Sequence, residues 1–93
     1  MEKYTMLGLS TGHVTEATAK MLDNEDLSIV VYPKSEYGWF VHVPTYEPDF
    51  EDCKTDLPED LRACLDWARK HNAEWLMFDR DAELDEELPV YDW

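Results

Sequence analysis

Basic residues are scarce in this chain. Eight Lys and Arg stand against 22 Asp and Glu in 93 residues, a formal net charge of −14. Contacts to nucleic acid and to anionic membranes depend on Lys and Arg neutralising phosphate, so this balance argues against direct binding to either. Cysteine is nearly missing too. Cys53 and Cys64 are separated by ten residues, with no His beside them. That is neither the dense framework of a small secreted scaffold nor a metal-ligand pair, and the two read most simply as reduced thiols. Glycine is limited to Gly8, Gly12 and Gly38. None opens a phosphate-cradling loop, because Gly12 is followed by His13 rather than Lys. No apolar run approaches the roughly 18 residues that span a bilayer. Residues 1–10 have mixed polarity, without the apolar core of a secretory leader. The expectation is a single cytoplasmic domain over residues 1–93, with no cofactor and no metal.

Core-forming residues, by contrast, are plentiful. The chain is 44% hydrophobic and 13% aromatic, which argues for a packed core in spite of the charge. Tyr4–Leu9 reads as a first strand ending in the turn-forming Ser10-Thr11-Gly12. Thr15 is a good N-cap for a first helix, with Glu16 at its positive end and Val14, Thr18, Met21 and Leu22 on one face. Asn24 suits a left-handed end to that helix. Leu27–Tyr32 is a β-branched run, and Tyr37–Val43 pairs with it as a hairpin. Residues 44–56 form a long acidic loop carrying Tyr46 and Phe50. A second helix runs from about Pro58 to His71, burying Leu61, Cys64, Leu65 and Ala68 and carrying Arg69, Lys70 and His71 at its negative end. Trp75–Phe78 is a fourth strand. The remainder is acidic up to Glu87 and then turns apolar.

The order β-α-β-β-α-β predicts an α+β, ferredoxin-like two-layer sandwich: an antiparallel sheet with both helices on one face, and the C-terminal acidic tail docked on the body. Chain order leaves strand order open, and a different α/β sandwich with the tail as a fifth strand is the alternative. Strands two and three are apolar on both faces, with Trp39, Val41 and Val43 opposite Phe40 and His42. The second sheet face therefore needs a cover. The 44–56 loop, the Leu88–Trp93 tail and a second copy in a homodimer are the candidates.

Motifs for chemistry are weak. Ser10-Thr11-Gly12-His13 lies between strand and helix, where His13 could serve as a base, yet turn, capping and packing roles account for all four residues. A two-histidine site with His42 would need strands one and three to be neighbours, and its spacing carries no ligand signature. The alternating acids of Asp79–Asp85 fail as a calcium loop, with Leu84 at the glycine position and Val90 at the glutamate position. A sheet-faced RNA binder is set aside on charge and on the missing basic motif.

The acidity is the remaining signal. A globule of this length has a radius of gyration near ~12 Å and spans ~32 Å, over which duplex DNA carries roughly 19 phosphates. A charge of −14 is comparable. The expected partner-binding residues are Glu47, Asp49, Glu51, Asp52, Asp79, Asp81, Glu83, Asp85, Glu86 and Glu87, presented to a basic protein surface on a nuclease or surveillance complex. The alternative is an accessory interaction module whose acids only keep it solvated, and which binds through Trp39, Tyr46 or Phe50.

The strings Leu9-Ser10-Thr11-Gly12-His13-Val14-Thr15, Tyr37-Gly38-Trp39-Phe40-Val41, Asp56-Leu57-Pro58-Glu59-Asp60-Leu61, Phe78-Asp79-Arg80-Asp81 and Leu88-Pro89-Val90-Tyr91-Asp92-Trp93 resemble an uncharacterised family of small acidic bacterial proteins found on plasmids, phage-like elements and genomic islands. The resemblance spans nearly the whole chain. It implies a mobile-element setting, in which small acidic proteins block restriction or CRISPR systems, and it assigns no activity and no catalytic residue.

Overall fold

Side-chain alternation along four short strands sets the layout. The computed structural model describes residues 2–24, 27, 29–34, 38–44 and 56–91. In chain order these form β1 (Met6–Leu9), a 3₁₀ turn (Thr11–His13), α1 (Glu16–Asp23), β2 (Val31–Lys34), β3 (Gly38–His42), α2 (Glu59–Lys70) and β4 (Trp75–Asp79). Among the described residues the result is a small α+β fold with a four-stranded sheet and two helices. Its radius of gyration is 12.3 Å.

The sheet order is β1-β4-β3-β2. β1 runs parallel to β4, while β4–β3 and β3–β2 are antiparallel. The sheet is therefore mixed, where the sequence led to an antiparallel one. The inner position of β4 has a physical basis. A central strand is flanked on both edges and covered most completely, and β4 is apolar on both faces: Leu76 and Phe78 are fully buried on one side, with Trp75 and Met77 on the other. β1, with Gly8 at its middle, takes an edge. β2 takes the other edge and is displaced toward the C-terminus of the expected segment, so that Pro33 lies within it opposite Trp39. Proline is tolerated there because an edge strand can spare one N–H.

Register puts Leu7, Leu76, Val41 and Val31 in one row and Leu9, Phe78 and Trp39 in the next, all on one face. Ala19 and Leu22 of α1 and Leu61, Cys64, Leu65 and Ala68 of α2 belong to the same core cluster, so both helices cover this face. α1 starts at the Thr15 N-cap, whose hydroxyl accepts from the Thr18 N–H. Asn24 ends it with φ −90°, in the right-handed region rather than the left-handed one expected. The left-handed residue is instead Asn72, φ 60°, which follows α2. Asparagine is the most tolerant non-glycine type for that role.

Candidate interaction surfaces

The acidic stretch after β4 is held against the body by one buried side chain. His13 is 1% exposed at the end of the 3₁₀ turn. Its Nδ1 lies 2.8 Å from the Pro89 carbonyl oxygen, and its Nε2 lies 2.8 Å from the Asp85 backbone nitrogen. A carbonyl can only accept and an amide N–H can only donate. The ring is therefore the neutral tautomer with its proton on Nδ1, and both nitrogens are used. The Tyr91 N–H adds a bond to the Gly12 carbonyl at 2.8 Å, and Leu88 is buried. Gly12 makes room for this crossing: a Cβ there would lie 3.3 Å from a Leu84 methyl. The segment thus follows a fixed path from Asp79 to Tyr91.

Six of the ten acids expected to bind a partner lie on this path. Asp79 is committed elsewhere, since its carboxylate takes the Lys34 ammonium at 2.7 Å and the Asp81 N–H at 2.8 Å. The Lys34 hydrogen bond, and then the Asp81 N–H, hold its carboxyl below the ordinary range. Asp85 caps its own turn by accepting from the Glu87 N–H. Glu87 meets the Lys70 ammonium at 3.0 Å, an exposed pair of small energetic weight. Asp81, Glu83 and Glu86 point outward and are exposed. Glu47, Asp49, Glu51 and Asp52 lie outside the described residues, as do Tyr46, Phe50 and Cys53.

The structure separates the two histidines considered for a joint site. β4 lies between β1 and β3, so the strands that would have brought them together are not neighbours. His13 is buried beneath the 85–91 segment, whereas His42 sits on the other sheet face, its ring 5.1 Å from that of Trp75. Among the described residues no group of three or more His, Cys, Asp or Glu side chains could hold a metal ion. Cys64 is a free, fully buried thiol. Burial, then the nearby Asp60 charge, pushes it up to about 12, which makes it a packing residue rather than a nucleophile. Trp39 is also unavailable to a partner, because it faces the core and its indole N–H donates to Asp23 at 2.8 Å. None of the described helices is long and apolar enough to cross a membrane.

Sequence reasoning overlooked the His13 clamp. Its two partners lie 72 and 76 residues away along the chain, a separation that carries no local signal.

These features define a small α+β domain that carries a clamped acidic edge. The chain belongs to DUF5983: residues 6–93 match the family described as "Family of unknown function (DUF5983) C-terminal domain". No curated protein and no solved structure matches it.

Proposed function

We propose that this chain is a non-enzymatic binding domain of the bacterial cytoplasm, carried on mobile elements, which occupies the basic nucleic-acid-binding surface of a host defence nuclease or surveillance complex. The observation that carries this reading is the fixed path of residues 79–91 under His13. Six carboxylates and one guanidinium fall between Asp79 and Glu87. A floppy acidic tail would lose much of its binding energy to ordering, whereas a clamped one offers Asp81, Glu83 and Glu86 at set spacings. The net charge of −14 supplies the long-range field that would speed encounter with a cationic groove.

The test is capture by the tagged full chain at low and high salt, from bacterial lysate, against the variant Asp81→Asn, Glu83→Gln, Glu86→Gln. The reading expects a nucleic-acid enzyme that duplex DNA displaces and that the variant retains at least about tenfold less well. A partner held equally by the variant and unaffected by duplex DNA would end it.

A further inference from the structure

His13 holds the 85–91 segment through two bonds that only a neutral ring can make together. Its Nδ1–H donates to the Pro89 carbonyl at 2.8 Å, and its Nε2 accepts the Asp85 N–H at 2.8 Å. An imidazolium carries N–H on both nitrogens and has no acceptor left. A proton taken up at Nε2 would point at the Asp85 N–H, and that bond could not persist. The ring is 1% exposed, so water offers the new N–H no other acceptor while the segment stays in place. Histidine is the side chain that ordinarily changes charge between about pH 5 and 8.

No carboxylate among the described residues bonds the ring, since both nitrogens go to backbone. From α2, the Asp60 carboxylate is engaged by the Thr15 N–H and the Thr18 hydroxyl. The Cys64 thiol, pushed up to about 12 first by burial, donates to the His13 carbonyl. From the segment itself, the Asp85 carboxylate accepts the Glu87 N–H, Glu87 meets Lys70, and Glu83 and Glu86 are exposed. Tyr91 bonds the Gly12 carbonyl through its backbone N–H. Glu16 of α1 lies beside Lys20, and β1 has no titratable side chain. One contact acts in the opposite sense. His71 lies 4.0 Å from Glu87, and a charged His71 would draw the segment in. Those two side chains are 41% and 49% exposed, so their attraction is weak beside the loss of a buried bond.

We infer that His13 is an acid-released latch: at neutral pH it fixes residues 85–91 on the body, and its protonation frees them, Asp85, Glu86 and Glu87 included. The state that binds the additional proton gains population as pH falls, and here that is the released one. The latch acts on the acidic edge but stands on the clamp geometry alone. Its test involves no partner, so failure of one reading is told apart from failure of the other.

Amide exchange of the full chain between about pH 7.5 and about pH 5.5, corrected for the intrinsic pH dependence of exchange, is the test. Carboxylates, with ordinary values near about 4, stay ionised over that range. The Asp85 and Tyr91 N–H groups should lose at least about fivefold in protection while the β3 and β4 amides change little. Over the same range, nitrogen NMR should show the His13 ring passing from the Nδ1–H tautomer to the cation. His13→Gln, which does not titrate, should show no such loss, and His71→Gln should show it in full. Unchanged protection at Asp85 and Tyr91, the same loss in His13→Gln, an equal loss in β3 and β4, or a His13 cation with both amides still protected would each overturn it. The ring signal is read on the parent protein, so it decides the matter even where His13→Gln does not fold.

Discussion

Asp60, in the first turn of α2, accepts the backbone N–H of Thr15 at 2.7 Å and the Thr18 hydroxyl at 2.8 Å. The start of α1 is therefore satisfied by a carboxylate from the other helix. With its other oxygen holding Thr18, Asp60 ties the two helices together where both present the positive ends of their dipoles. Asp60→Ala leaves one buried and one partly buried donor unpaired, and a loss of about 2–3 kcal/mol in urea unfolding is expected. Asp60→Asn keeps one acceptor oxygen and should lose about half as much. Equal stability of all three proteins would show that water satisfies the donors.

His13→Ala should free the 85–91 segment. It removes one donor and one acceptor and leaves a cavity where a buried ring stood. The expected cost is about 2–4 kcal/mol. Amide exchange is the sharper readout, because the Asp85 and Tyr91 N–H groups should lose protection while the β3 and β4 amides exchange only in step with global stability. His13→Gln, which carries both a donor and an acceptor, should restore part of it.

Gly38 is paired with Asp79 at the sheet end, and a Cβ there would overlap the Phe78 carbonyl oxygen and lie 2.6 Å from its carbon. Backbone cannot yield as a side-chain tip can. Gly38→Ala is expected to separate β3 from β4 locally and to cost about 3 kcal/mol or more. A crystal structure of the variant with unchanged strand spacing, or an unchanged melting temperature, would contradict this.

The Lys34–Asp79 pair makes stability depend on acid. The Asp79 carboxyl is lowered on folding from an ordinary value of 3.8, first by the Lys34 hydrogen bond. Its contribution is thus present above that value and lost as pH falls through the lower folded value. Asp79→Asn should melt below the parent at pH 7, and the gap should close as pH falls below 3.8 and through the lower folded value. A gap that stays constant with pH would assign the effect to packing.

Helices were the more legible elements because their signals are local. Thr15 caps α1 through a residue three positions on, and the Leu61, Cys64, Leu65 and Ala68 stripe of α2 repeats at the period of one helix. The hairpin was legible from two neighbouring β-branched runs, although β2 slid to Val31–Lys34 because pairing across the sheet, not propensity, sets a strand's limits. The acidic residues were legible as a composition, but not their fates: Asp79 is spent on Lys34, Asp85 on its own turn and Glu87 on Lys70. The partners of Asp79 and Glu87 lie 45 and 17 positions away, so those choices depend on which distant residue the fold brings near.

By itself the sequence determined the charge, the two helices, the presence of four strands and the need for a sheet apolar on both faces. These follow from counts and from periods of two and 3.6 residues. Only the tertiary structure decided that β4 sits between β1 and β3, that His13 clamps residues 85 and 89, and that Trp39 turns inward while Tyr32 and Met6 turn outward. Those outcomes rest on hydrogen bonds and packing between residues 16 to 76 positions apart, where chain-local preference exerts no force and the shared core selects the partner.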